Sequence, residues 1–431
     1  MKIGLDFGTT NSSIARIAGT GEVKLARFCV AGALTESFRS LLYLERERTA
    51  GRSTIKSWAG PEGIERYLDA EDKGRLVQSL KSFLSSRSLQ TTEIFGRRFQ
   101  LEELVAHVIR SIRTAAEKQF GAPITRAVVG RPVRFVGAET DADDDFAVSR
   151  LRIALEKAGF VEVEFEFEPV AAAFYYESTL DHDEQILIGD FGGGTSDFSL
   201  LRVGPTARKT RHGKRAVLGN EGLPLAGDAF DARIIRHLVS PALGAGSFLN
   251  SHGKSLPVPN WVYFKLERWH HLSFLRSRET LNMLQSVMTQ AEQPEKIKAL
   301  LHLVNHDLGF YLHRAVQKTK IGLSHAESER FVFQDGDVEL DAIVTRTQFE
   351  AWIAEELAGV EERVGALLKK TGVHAKDVDM VFLTGGSSFV PAVRRIFEAR
   401  FGTAKIRTGD EFTSVARGLA LRAASELQGQ Q

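Results

Sequence analysis

Gly4-Leu5-Asp6-Phe7-Gly8-Thr9-Thr10-Asn11-Ser12, near the start of the chain, has a counterpart far along it: Ile188-Gly189-Asp190-Phe191-Gly192-Gly193-Gly194-Thr195-Ser196. Both run from an apolar strand through Asp-Phe-Gly into small or hydroxylated residues, then out into a second strand. One such tripeptide carries almost no information, and two ordinary glycine hairpins would share it. Two copies, each opening its half of the chain, predict a duplicated strand–turn–strand unit and two related α/β lobes facing one cleft. Glycine tips let an oligophosphate approach the backbone. Successive N–H groups in such a turn form an anion-binding nest, and the hydroxyls of Thr9, Thr10 and Thr195 add donors. Asp6 and Asp190 end the two strands, placed to hold a magnesium ion through water, since Mg2+ keeps several waters and takes few carboxylates. The chain has no G-x-x-x-x-G-K-[ST], and no kinase glycine-rich loop or His-Arg-Asp accompanies the Asp-Phe-Gly, so neither a P-loop nor a protein kinase is indicated.

Working outward, residues 12–17 read as the returning strand and 22–28 as a third. Apolar positions from Leu101 to Ala116 recur at helical spacing. Ala127-Val128-Val129 is a short buried strand, and Val161, Val163, Phe165 and Phe167 alternate with glutamates as a half-exposed one. A helix follows from Pro169, and the polar run 181–185 marks a lobe boundary. Beyond it, Pro294 opens a helix predicted to run unbroken past Val316. Asp335-Gly336 signals a hairpin, and Thr347 to Glu350 reads as a capping box. Val381-Phe382-Leu383 is a strand ending in a third glycine turn, Gly385-Gly386, with a helix from Pro391. Residues 204–280 give no clear pattern.

At 431 residues the chain is long enough for two to four domains. Its 43% hydrophobic and 26% charged residues are those of a globular protein. A net charge of +1 favours neither nucleic acid nor an anionic membrane as partner, and no membrane span or signal peptide is visible. The single cysteine, Cys29, suits a reducing cytoplasm and reads as a buried small side chain. His302 and His306 have metal-ligand spacing, with His313 further along, but a helix stripe is the simpler reading. Trp269, His270 and His271 read as structural, and the acidic run Asp141, Asp143, Asp144, Asp145 as a solvated loop before a helix.

Six stretches in order resemble the heat shock protein 70 (DnaK-type) chaperones of the actin/hexokinase ATPase superfamily: 3–15, 80–84, 128–135, 168–176, 187–203 and 382–397. Similarity is greatest to the short YegD-like branch, which resembles the nucleotide-binding part without the peptide-gripping domain. The resemblance implies an α/β, actin-like ATPase fold with duplicated ribonuclease H-like lobes: lobe I over 1–180 (a subdomain at about 41–97), lobe II over 186–410 (a subdomain at about 229–319), and a C-terminal helix, 411–431, returning to lobe I. It implies ATP or ADP with Mg2+. Gly8, Thr9, Thr10 and Asn11 match one phosphate loop, and Gly192, Gly193, Gly194 and Thr195 the other. Lys81 matches the lysine at the terminal phosphate, Glu168 the glutamate facing the attacking water, and Asp190 and Asp197 the acidic pair near that water and the metal. Gly227, Gly385, Gly386 and Ser387 match adenosine-side glycines and turn, and Lys320 and Ser324 match ribose and adenine contacts. Outside the resemblance, Lys81 would read as a surface lysine on an amphipathic helix and Glu168 as a solvated strand end.

Gln317, Ile321, Phe389 and Phe412 depart from the family's usual residues around the base, and Arg131 replaces an apolar one before Pro132. Phe389 retains a face that can stack on a base. The expected activity is slow ATP hydrolysis driving lobe closure, with protein clients or co-chaperones as partners. The alternatives are a nucleotide-binding module without turnover, a small-molecule kinase on the same fold, and a filament former.

Overall fold

Strand β1 (Lys2–Phe7) buries Ile3, Leu5 and Phe7, and the chain reverses over Gly8–Thr10 into β2 (Asn11–Ile17), its antiparallel neighbour. β3 (Val23–Leu25) pairs on the far side of β2. β4 (Arg126–Arg131) runs parallel to β1, and β5 (Glu162–Phe167) parallel to β4, giving the order β5-β4-β1-β2-β3. A second sheet repeats the plan. β6 (Glu184–Phe191) turns at Gly192–Thr195 into antiparallel β7 (Ser196–Val203), which pairs with β8 (Ala216–Leu223). β9 (Met380–Thr384) is parallel to β6, and β10 (Ile406–Thr408) to β9, so the order β10-β9-β6-β7-β8 matches the first sheet in position and direction. The two Asp-Phe-Gly segments occupy equivalent central strands of the two sheets.

The computed structural model describes residues 1–19, 21–30, 33–49, 52–70, 74–177, 180–206, 216–251, 253–268, 275–408 and 414–428. Trp269, His270, His271 and Phe412 lie outside them. The chain divides into two compact units. The first comprises Met1–Gly227, Gly359–Ser388 and Val393–Gln431 and contains both sheets; the second comprises Asp228–Ala358 and Phe389–Ala392.

In the first unit, helix α1 (Leu101–Phe120) starts where Glu103 accepts a hydrogen bond from the Gln100 amide and stops at Gly121 in the left-handed region. Its Leu104, Val105, Val108 and Ile112 join the core of the first sheet. α2 (Asp141–Lys157) packs beside it. α3 (Glu168–Glu177) and α4 (Ser414–Gln428) form a core with Val128 of the first sheet and Ile186, Ile188, Leu201 and Phe382 of the second. Their contact is unusually close: a Cβ on Gly418 would lie 1.7 Å from the Ala171 carbonyl oxygen. On the other side of α4, a Cβ on Gly4 of β1 would lie 2.3 Å from the Ala420 nitrogen.

The second unit holds helices Arg278–Gln290, Pro294–Asn305 and Gly309–His325, with hairpins 248–257 and 328–345. Gly336 takes the positive φ that the 335–336 turn requires.

Several expectations are corrected. The third strand ends at Leu25, and Phe28 begins a separate hairpin with residues 33–35. The helix from Pro294 breaks between Asn305 and Gly309, where Asp307 adopts φ 53°. Periodic apolar residues continue across the break because both pieces pack inward, so periodicity alone did not reveal it. The capping box is two residues earlier than expected: the Thr345 hydroxyl accepts from Gln348 N (3.2 Å) and Gln348 Oε1 accepts from Thr345 N (3.0 Å). The acidic run belongs to the first turn of α2, where carboxylates favour the helix N-terminus. Its Asp144 is buried and accepts from Phe135 N. Cys29 is exposed.

Candidate nucleotide site

Ser79 adopts φ 50°, a left-handed conformation rare for serine, and starts a tight turn, Leu80–Phe83. Leu80 and Leu84 anchor this turn in the core, and Lys81 is drawn inside with them. Its Nζ donates to Glu168 Oε1 at 2.5 Å, and both side chains are buried. Glu168 is the first residue of α3, where the positive end of the helix favours a carboxylate. The readings of a surface lysine and a solvated glutamate are therefore both excluded.

Three aspartates complete the cluster. Asp6 is on β1, and Asp190 and Asp197 are directly opposite across the β6–β7 pair. Asp197 Oδ1 accepts from Val133 N at 2.8 Å, while its buried Oδ2 has no hydrogen-bond partner among the described residues. Burial, then Glu168, pushes the Asp197 carboxyl up to about 7. Asp190 is raised well above the usual range by burial, Glu168 and Asp197, against Lys81. Asp6 is raised likewise by burial, Glu168 and Asp190. For Lys81 burial acts downward, but Glu168 and Asp6 outweigh it and hold the ammonium charged. Four carboxyl groups thus share one buried lysine, with Arg131 acting on Asp197 and Glu168 as well, and the raised aspartates show that the cluster accommodates further positive charge.

The glycine tips meet beside it. A Cβ on Gly194 would lie 2.9 Å from Val136 Cγ2, 3.5 Å from Thr9 Oγ1 and 3.6 Å from Ser82 Oγ, so the second tip faces both the first tip and the Lys81 turn. Gly192 N donates to Thr195 O, closing the second tip. Asn11 Oδ1 accepts from Arg39, and Thr10 Oγ1 is buried with no partner among the described residues. Gly385 (φ 84°) sits against the second tip, and a Cβ there would lie 2.1 Å from the Phe191 carbonyl oxygen, so no other residue fits. This brings the Gly385-Gly386-Ser387 turn to the end of β6. Gly227 joins the same tip through its N–H to Gly192 O (3.3 Å).

A protein-family model described as Hsp70 protein matches residues 70–244 and 296–431. The chain belongs to the Hsp70 family. The matched segments include Lys81, Glu168, Asp190, Asp197 and two of the three glycine turns. Asp6 and the tip at 8–11 lie outside them and enter the site through geometry. The twin sheets are the actin-like ATPase fold of the Hsp70 family, whose members are in general Mg2+-dependent nucleotide-binding ATPases.

The residues present fit such a ligand. Among the described residues Thr10 Oγ1 and Asp197 Oδ2 are buried polar atoms with no hydrogen-bond partner, which a bound group or its waters would satisfy. Among the described residues no three His, Cys, Asp or Glu side chains converge as direct metal ligands, so a cation here would draw chiefly on water and phosphate oxygens. His302 instead pairs with Asp335 (2.8 Å) and stacks on His306.

In the second unit Lys320 is ion-paired to buried Asp231 at 2.7 Å, and Ser324 Oγ donates to Lys320 O one turn away. Ile321 and Phe389 are exposed and Gln317 is half-buried. Asp231 was missed in the sequence because nothing in its local pattern marks a lysine partner. Arg131 was noted only as a departure. Its guanidinium lies over the rings of Phe167 (4.9 Å) and Phe135 (5.6 Å) and donates to the carbonyls of Pro132 (3.1 Å) and Val133 (3.4 Å). It therefore braces the segment whose amide holds Asp197.

Proposed function

We propose that this member of the Hsp70 family binds ATP with Mg2+ and hydrolyses it slowly, using nucleotide state to drive lobe closure in a chaperone-type role. The observation that supports this reading best is the buried Lys81–Glu168 pair within an acidic cluster, beside the apposed Thr9 and Gly194 tips. The tips offer N–H and hydroxyl donors to phosphate oxygens, from Gly8 to Asn11 and from Gly192 to Thr195. Lys81 keeps its proton and meets negative charge on the terminal phosphoryl group, with Glu168 fixing its position. Asp190 orients and deprotonates the attacking water, and Asp197, held by Val133 N, supports it. Asp6 and Asp190 would hold a magnesium ion through waters; when bound, that ion neutralises phosphate charge and aligns the transfer. Gly227, Gly385, Gly386 and Ser387 are assigned to adenosine, as are Lys320, Ser324 and Phe389. Clients or co-chaperones as partners and a cytoplasmic setting are part of the same proposal, supported by family membership and by the lone cysteine.

A second reading, a module that holds nucleotide without turnover, is favoured by the apolar residues Ile321 and Phe389 at family base-contact positions. Calorimetry with ATP, ADP and GTP, with and without Mg2+, followed by single-turnover hydrolysis, separates the two. Mg2+-dependent ATP binding with phosphate release supports the ATPase. Binding with no release supports the module, and absence of binding removes both.

A further inference from the structure

A cavity of 330 Å³, lined by no member of the acidic cluster, lies where the sheet of strands Leu41–Thr49, Arg52–Ala59 and Arg75–Gln78 meets helix α1. Its walls follow from simple periodicities. Leu42 and Leu44 are two apart on one strand, and Ile55 and Ser57 two apart on its partner, so each pair shares a face. Glu103, His107 and Arg110 lie at helical spacing on α1, with Leu104 beside them. Arg97 and Phe99 come from the strand before α1, and Lys157 is the last residue of α2.

The floor is apolar, through Leu42, Leu44, Ile55, Phe99 and Leu104, but the rim is cationic. Arg97, Arg110 and Lys157 face one carboxylate, Glu103, which already accepts the Gln100 amide at 2.9 Å. The adjacent acid, Glu102, is turned to Arg150. None of the three cations forms an ion pair among the described residues: Arg97 lies over the Phe99 ring at 4.8 Å, and Arg110 donates to the Lys157 carbonyl. Cations elsewhere on this surface do find acids, as Lys56 does with Glu47 at 2.9 Å. Ser57 and His107, 3.4 Å apart, add a hydroxyl and an imidazole between the apolar floor and the charged rim. The cavity falls at the small end of the roughly 300–1,000 Å³ range of ligand pockets.

We propose that this cavity binds a small organic anion, a carboxylate or phosphate monoester on a short apolar body, with the body on the Leu42–Leu44–Leu104 floor and the head group between Arg97 and Lys157. This site is separate from the nucleotide reading and does not depend on it.

Saturation-transfer NMR and calorimetry on the full chain with hexanoate, phenyl phosphate and hexan-1-ol test it. At least one anion should bind saturably at one site with a Kd of roughly 1 mM or tighter, and hexan-1-ol should bind at least about tenfold more weakly. The better anion identifies the head group. The double variant Arg97→Ala/Lys157→Ala should weaken anion binding by about tenfold or more. Both side chains are exposed, and an unchanged melting curve confirms that the variant is folded. Absence of saturation by either anion, equal binding by the variant, or displacement of the anion by ATP would overturn the proposal.

Discussion

Lys81 Nζ and Glu168 Oε1 lie 2.5 Å apart across 87 positions of sequence, joining a tight turn to the first residue of a helix as one buried ion pair. Removing one member leaves the other charge buried without its counterpart, which costs more than the pair contributes. Lys81→Ala should therefore lower stability by roughly 3–5 kcal/mol in urea unfolding, and adding Glu168→Gln should restore part of it. A double variant no more stable than the single one would show that the charge pairing is not what stabilises this region.

Asp190→Asn keeps size and shape but replaces one acceptor oxygen with an amide donor and cannot accept a proton from water. Single-turnover hydrolysis should slow by roughly 10²–10⁴-fold with nucleotide still bound. A rate within about twofold of wild type would remove Asp190 from the water-activating role.

The same substitution relieves a buried cluster in which four carboxyl groups share one lysine. The nucleotide-free Asp190→Asn protein should melt higher than wild type, by about 1–2 °C for roughly 1 kcal/mol. A lower melting temperature would mean that Asp190 is satisfied by contacts worth more than the repulsion it suffers.

Arg131 makes no hydrogen bond to Asp197 among the described residues but braces the Val133 backbone that does, and its charge also acts on Asp197 and Glu168, so it is a positioning residue. Arg131→Met retains bulk between Phe135 and Phe167 but loses the two carbonyl contacts. We expect kcat to fall by roughly tenfold with KM for ATP little changed, because displacement rather than lost binding is the cause. A change in KM alone would point to direct contact with nucleotide.

Burial, and then Arg110, holds the His107 imidazole below its usual value. The unfolded chain therefore takes up this proton first as pH falls. Stability should decline from about pH 6.5 downward and level off below the depressed native value. Urea midpoints for wild type and His107→Gln should diverge across that window and run parallel above pH 7.5 or so. Parallel curves throughout would show that His107 titrates alike in both states.

The twin sheets were legible because strand–turn–strand signals are local. Asp-Phe-Gly, a glycine tip and a returning apolar run are complete within about ten residues. Of the acidic cluster, Asp6 and Asp190 were legible from the repeat, whereas Lys81, Glu168 and Asp197 were legible only through resemblance. Lys81 follows a serine in a left-handed conformation, and nothing in Leu80–Phe83 distinguishes a buried lysine from a surface one. Asp307 hid a helix break for a similar reason: one residue's φ carried it, while the apolar spacing continued. Cys29 was misread because a small side chain on a short hairpin strand can face either way, and strand alternation over three residues is too brief to fix a face.

Helix α4 touches α3 at Gly418 and β1 at Gly4 with main chain against main chain, at separations that exclude a methyl group. At these two points main chain meets main chain directly, while Val170, Val415 and Leu419 pack around them. A shift of that last helix would therefore be felt directly at the strand carrying Asp6 and at the helix opening at Glu168, tying the position of the chain's final helix to two members of the acidic cluster.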